Sequence, residues 1–521
     1  MKKILLLFTA MLALSALQAQ WVNDPVNNTF IANTSADAGE IYLATSPLSS
    51  DTYVQWSQFN TNGWAPHLQR LNFDGVPQWD ANGITIPHQF ASYSEGFAIA
   101  ATTDGSVVSC FAVYDGFTYA VKINIDGSFA WGEEGIQLFG GQGFSRAEVI
   151  ADNNGGVWAL GSDFSNLYLQ HVDADGSLGP CNTIADNSGK ACAYGQLTLS
   201  HNNNVFVTYE KLGSGYGLYK EKELFVAGYA PDGTQISPET QLMTGLTFQV
   251  TYIHSVVADG LGGGYAYLWH SGINNTFNTY VFHFNENGAS TIEDTYGIAV
   301  HSPDEAYYYI DADATVDPVT HDLLIAYQQT DAAYQAQCQL FVNRITATGD
   351  RVWEEGYLIL DNGDIPCGGL RINTYEDGEG FSVIYHKGLS QFGFESTVEA
   401  QGFDKKGVQQ WSTQLCSNAY KKTGDENSTG FHRGQNIVAW VNSDTGGLYG
   451  QNIAHNGAMG YDPLAVPENS DEEIINIIKV YNINGQELRH AKLENLSRGV
   501  YLIQGTTHSG RLVTRKHVVN F

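Results

Sequence analysis

The chain has 521 residues, 12% of them aromatic, with 56 glycines and 25 Lys+Arg against 55 Asp+Glu, a net charge of −30. That balance excludes a nucleic-acid binder, whose phosphate partner demands a basic face. Abundant glycine and aromatics without a helical apolar period suit many short strands joined by tight turns.

Residues 1–19 read as a signal peptide. Lys2 and Lys3 precede an apolar run from Ile4 to Leu14, and small residues lead to Ala19-Gln20. The run is too short to span a bilayer, and no other segment is long and apolar enough to do so. The expectation is export through the periplasm to the cell surface or the medium. Such a compartment permits disulfides. The six cysteines (Cys110, Cys181, Cys192, Cys338, Cys367, Cys416) contain no CxxC, which excludes zinc ribbons and redox motifs. Cys181 and Cys192, close in sequence and flanking one loop, are the expected pair.

From Leu71 to Ile86 the chain reads LNFDGVPQWDANGITI: an alternating run, the hairpin dipeptide Asp74-Gly75, Trp79, Gly83 and a second alternating run. The pattern recurs at Asp126-Gly127 with Trp131, Gly349 with Trp353, and Gly407 with Trp411. Weaker copies turn at Gly176, Gly233, Gly288 and Gly457, so eight turn glycines stand 49 to 61 residues apart. A period of this size is the signature of a repeat architecture. Each repeat divides into four strands, the second of which is an apolar run suited to burial on both faces. Fourth strands follow only seven of the repeats. The missing one is expected at the N-terminus, where Trp21-Val22-Asn23-Asp24-Pro25 mimics Trp79-Asp80-Ala81-Asn82-Gly83. The fold class predicted is therefore all-β: an eight-bladed β-propeller over residues 20–460, closed by its own N-terminal strand and so without an open sheet edge. A seven-bladed ring with one degenerate repeat is the alternative. The recurring tryptophans are expected to pack blade against blade.

Residues 461–473 (YDPLAVPENSDEE) have the composition of a linker. Beyond them the charge changes sign: residues 479–521 carry +5 and the rest −35. Residues 474–521 read as a small β-sandwich, with a hairpin at Asn484-Gly485 and turns at Arg498-Gly499 and Ser509-Gly510. The order and spacing of Val480-Tyr481-Asn482, Asn484-Gly485-Gln486, Arg498-Gly499-Val500-Tyr501 and a terminal Lys516-His517-Val518-Val519 carry a resemblance. This tail resembles the type A C-terminal sorting domain of the type IX secretion system, although the Asn-Pro segment usual at that domain's start is absent. The resemblance implies that Asn484, Gly485, Gly499 and Tyr501 belong to the sorting motif, and that the secretion machinery is a partner. It also implies removal of the tail and delivery to the surface, and it is silent on what the cargo does.

The cargo shows no G-x-S-x-G, H-E-x-x-H, Walker or Cys/His protease pattern. Asp311, Asp313 and Asp317 in DADATVDPVTHD have a spacing that offers oxygen ligands for calcium, with a solvated acidic hairpin turn as the alternative. No other cofactor is indicated. The loops joining second to third strands and blade to blade share one rim, on which Trp64, His67, Tyr216, Tyr219, His270, Tyr334 and His386 are expected. Aromatic faces with hydrogen-bonding tips suit an extracellular glycan or protein. The reading is a binding or adhesion module. The alternatives are a propeller lyase or glycoside hydrolase, for which His270, Tyr334, His386 and Arg146 come into view, and a structural surface protein.

Overall fold

The computed structural model describes residues 21–34, 39–60, 63–88, 97–113, 116–142, 145–163, 165–215, 221–246, 254–271, 277–331, 338–361, 367–388, 395–420, 427–442 and 447–460. Towards the C-terminus it describes 474–482, 488, 496, 499–507 and 512–519, and the expected linker 461–473 lies outside the described residues. The chain forms two compact units, Met1–Met459 and Gly460–Phe521.

The first unit is an eight-bladed β-propeller. Eight four-stranded antiparallel sheets follow one another, and seven of them take their strands in chain order. Blade 1, for example, runs Gly39–Thr45, Thr52–Asn60, Gly63–Leu71 and Ile84–Thr85. The eighth joins Asn427–Ser428, Gln435–Asn442 and Gly447–Ala454 to Thr29–Asn33, which enters from the other end of the chain. In that pairing Thr29 lies opposite Gly450 and Asn33 opposite Gly447. The N-terminal strand thus closes the ring, and eight blades, not seven, are present. Among the described residues there is no α-helix.

Second strands are buried on both faces, as Val107–Ala112 and Val157–Ser162 are along their whole length. The core lies between blades. Tyr53 and Leu68 of blade 1, for instance, pack with Phe97, Val107 and Phe111 of blade 2.

The tryptophan–glycine pattern joins one blade to the next. The Trp21 indole N–H donates to Phe73 O (3.0 Å), Trp79 to Ile125 O (3.4 Å), Trp131 to Ala174 O (3.2 Å) and Trp411 to His455 O (2.6 Å). Each ring lies on the turn glycine of the neighbouring hairpin: a Cβ on Gly75 would come 2.6 Å from the Trp21 ring, and one on Gly457 2.7 Å from that of Trp411. A second recurrent link ties a third-strand base to an aspartate between first and second strands. It is Arg70–Asp51 (2.7 Å) in blade 1, Lys122–Asp104 (2.7 Å) in blade 2 and His171–Asp152 (2.9 Å) in blade 3. His283–Asp259 (3.2 Å) and Arg344–Asp322 (2.7 Å) repeat it in blades 5 and 6.

The disulfide differs from the expected one. Cys338, just before the third strand of blade 6, is bonded to Cys367, the first residue of blade 7, with Cα atoms 6.0 Å apart. Cys181 and Cys192 are unpaired. Cys181 is on the outermost strand of blade 3 (Leu178–Ile184) and Cys192 on the innermost strand of blade 4 (Ala191–Leu199), so nearness in sequence becomes distance along the blade radius.

In the second unit, Gly499–Thr507 pairs antiparallel with both Ile474–Asn482 and Leu512–Val519 to give a three-stranded sheet. Val480, Tyr501 and Ile503 are buried. Leu488 N–H donates to Val480 O (2.8 Å), the return bond a hairpin through Asn484-Gly485 would make, although those two residues lie outside the described ones. Gly499 opens the central strand, and Tyr501 sits within it opposite Asn482 and His517.

Candidate functional site on the channel wall

First strands of successive blades abut one another, and in a propeller these innermost strands line the central channel. Here they share an irregularity. Relative to its second strand, the first strand carries one extra residue in blade 1 (between Gly39 and Ile41), blade 3 (Ser145 and Glu148), blade 4 (Ala193 and Gln196), blade 6 (Ile310 and Asp313) and blade 7 (Gly368 and Arg371). Such β-bulges re-aim side chains and gather beside functional sites. Three of them hold a residue in the left-handed region: Tyr194 (φ 55°), Asp311 (φ 49°) and Gly369 (φ 63°). For a tyrosine or an aspartate that conformation costs roughly 1–2 kcal/mol, and strain of this kind persists where the surroundings impose it.

In blades 3, 4, 6 and 7 the residue that closes the bulge is polar (Glu148, Gln196, Asp313 and Arg371), whereas in blade 1 it is the buried Ile41. Gln196 Nε2 of blade 4 donates to Glu148 Oε1 of blade 3 at 3.3 Å. Asp313 Oδ2 of blade 6 accepts the Ile372 N–H of blade 7 at 2.8 Å. Arg371 of blade 7 donates from Nη1 to Leu370 O at 2.7 Å. Ser255 holds the equivalent place on blade 5, opposite Tyr267. The Tyr267 hydroxyl interacts with Ser255 and feels the charges of Asp313 on blade 6 and Arg371 on blade 7. Burial pushes the Asp313 carboxyl above the usual range, with Arg371 pulling the other way. Partial desolvation by the surrounding wall also raises the Asp311 carboxyl, although its side chain is exposed. Tyr267 is 6% exposed, and its phenol is pushed up, chiefly by burial.

Behind Tyr194 stands a buried ionic network. Lys222 Nζ lies 5.4 Å from the centre of the Tyr194 ring and 3.2 Å from Glu210 Oε2. His254 Nδ1 is 3.1 Å from Glu210 Oε1, and its Nε2 is 3.0 Å from Thr208 Oγ1. Burial works against the Glu210 charge, but His254 and the Lys222 ammonium outweigh it and hold the carboxyl below its ordinary value. Network and bulge together fix the wall of blades 4 and 5.

The residues expected on the rim fall differently. Trp64 is half-buried near the start of its strand, its ring edge-on to Phe59 at 5.5 Å. His67 is inside the third strand of blade 1, stacked on Trp56 (5.5 Å) and within 3.2 Å of Thr85 Oγ1. His270, the last residue of a second strand, is fully buried, stacked on Tyr280 at 3.8 Å, and pushed down to about 4 by burial. His386 is likewise fully buried, opposite Gly368 and Val398. The three histidines are buried residues within second or third strands rather than rim tips. Tyr216, Tyr219, Tyr334 and the side chain of Arg146 lie outside the described residues; Arg146 falls in the bulge of blade 3.

Asp311 and Asp313 are within the first strand of blade 6 (Tyr307–Val316) rather than in the hairpin after it. Only Asp317 is in that turn, where Oδ1 accepts the N–H groups of Val319 (2.8 Å) and Thr320 (3.0 Å). The three carboxylates therefore have separate surroundings. Among the described residues no group of three or more acidic, histidine or cysteine side chains is placed to hold a metal ion.

Sequence spacing pointed to none of Tyr194, His254, Tyr267 or Arg371. The one available signal was an extra residue in the first strands of five repeats, which becomes visible only when the register with the second strand is known.

No protein-family model and no curated protein matches the chain. Solved structures similar to it include polysaccharide lyase Uly1, at 12% identity and a TM-score of 0.45, covering 84% of this chain and 94% of that one. A puromycin hydrolase mutant complexed with PGG is similar at 13% identity and 0.41, covering 81% and 61%. The GH93 α-L-arabinofuranosidase of Fusarium graminearum, with arabinobiose, is similar at 10% identity and 0.37, covering 59% and 92%. At these identities and scores the likenesses bear on no residue of the channel wall.

Proposed function

We propose that this chain is an exported β-propeller, delivered to the cell surface or released by type IX secretion through its C-terminal unit, and that it binds an extracellular glycan or protein at the channel. The observation that carries the binding reading is the set of bulges on five first strands, which turns Tyr194, Asp311, Asp313 and Arg371 out of a regular ladder at a strain cost. The resemblance of residues 474–521 to a sorting domain supports the route.

A panel of soluble polysaccharides and secreted proteins tests the reading. Retarded migration in ligand-loaded native gels, without new reducing ends or unsaturated product, is the expected result; no retardation by any member would refute it. A second reading, a propeller hydrolase or lyase, is favoured by one observation: Asp311 and Asp313 stand two residues apart on one innermost strand with both carboxyls raised, and Asp313 is coupled electrostatically to Tyr267 and Arg371. Product formation in the same panel would select it.

A further inference from the structure

Resting on the binding reading above, we propose that the channel wall of blades 4 to 7 is the ligand site and that its ligand is a neutral saccharide. Three features of the wall lead there.

The first is a mixed hydrogen-bonding inventory. Asp311 is exposed and makes no hydrogen bond or ion pair among the described residues. Asp313 commits Oδ2 to a backbone N–H, and Arg371 commits Nη1 to a backbone carbonyl. A carboxylate offers about four acceptor sites and a guanidinium five donors, so both retain capacity toward a ligand. Vicinal hydroxyls, each donor and acceptor at once, match such a wall. An ammonium group, which only donates, would leave Arg371 facing like charge.

The second feature is the ring of Tyr194. It is half-buried with part of its surface open, and is held by its bulge and by the Lys222 ammonium 5.4 Å from its centre. A rigid, partly open aromatic face suits the apolar C–H face of a pyranose.

The third is charge. The first strands of blades 4 to 7 carry Asp311 and Asp313 against one guanidinium, Arg371, and the chain outside residues 479–521 carries −35. Low-dielectric channel walls concentrate such a field. A sulfated or uronate-rich chain is repelled from it, whereas a neutral glycan is not.

The test uses the whole exported chain. Its affinity is measured by titration calorimetry and native affinity gels for a β-1,3-glucan, a mannan and a xylan. Alginate, polygalacturonate and polylysine serve as charged comparators. At least one neutral glycan should bind and the polyanions should not. Asp311→Asn, isosteric and tolerant of positive φ, should weaken that binding at least tenfold. Tyr194→Gly should do the same without lowering the thermal midpoint, because glycine relieves the left-handed conformation. A preference for polyanions or polylysine would overturn the ligand class. Neutral-glycan binding that is unchanged in both variants would overturn the site while leaving the binding module standing. Binding to none of the probes would remove the glycan reading together with this inference.

Discussion

At the scale of single residues, the repeated tryptophan and the repeated turn glycine are two halves of one contact. Gly75 needs a positive φ (81°) and also has no room for a Cβ, because the Trp21 ring occupies that space. Gly75→Ala should therefore cost about 1–3 kcal/mol, combining a strained backbone with overpacking. Urea unfolding of the variant measures it, and an unchanged midpoint would contradict the contact. The recurrent base–aspartate links act on pH. Burial opposes the charge of Asp104, but the Lys122 ammonium and the Thr102 hydroxyl outweigh it and bring the carboxyl to about 2. Asp152 and Asp259 are lowered in the same way by His171 and His283. A carboxyl lowered in the folded state adds stability above its unfolded value of ~3.9 and loses it as pH falls through the folded one. His270, held near 4 by burial, begins to act earlier: the unfolded chain takes that proton below ~6.5, so stability falls between there and about 4. Denaturant midpoints should decline from near pH 6.5 and more steeply below 4. Asp104→Asn should flatten the lower part of that curve.

At the scale of elements, the strands were legible because their apolar runs and turn dipeptides are local properties. The Asp-Gly turns, the doubly buried second strands and the mimicry of Trp79 by Trp21 all held. What depends on two strands at once was not legible. The bulges that place Tyr194 and Asp311 exist only relative to the neighbouring ladder, and whether His67, His270 and His386 lie within a strand or in the loop beyond it turns on where each strand ends. The disulfide is the same kind of property. Cys338 and Cys367 belong to adjacent blades: one immediately precedes the third strand of blade 6 and the other opens the first strand of blade 7. It should act as a staple between blades 6 and 7. Replacing both cysteines with serine should lower stability by about 3.6 kcal/mol, the entropy of a loop of this size, and reductant should reproduce the loss in the native chain. Insensitivity to both would mean that the bond adds nothing to an already closed ring.

At the scale of the whole molecule, ring closure by Thr29–Asn33 joins the two ends of the propeller's chain, so the blades stand or fall together. Hydrogen exchange should find the amides of this strand as protected as those of Gly447–Ala454, its partner. Free exchange there, with other blades protected, would mean an open ring. Closure also gives the channel wall its fixed geometry, since the polar residues of blades 3 to 7 come from five sheets that a sprung ring would separate. The central claim is that the ligand is met at this wall. It is tested most directly by hydrogen-exchange mass spectrometry of the chain with and without the polysaccharide that retards it. The account predicts added protection in the first strands of blades 4, 6 and 7, around Tyr194, Asp311 and Arg371. Protection confined to the Asp-Gly turns on the opposite face would contradict it.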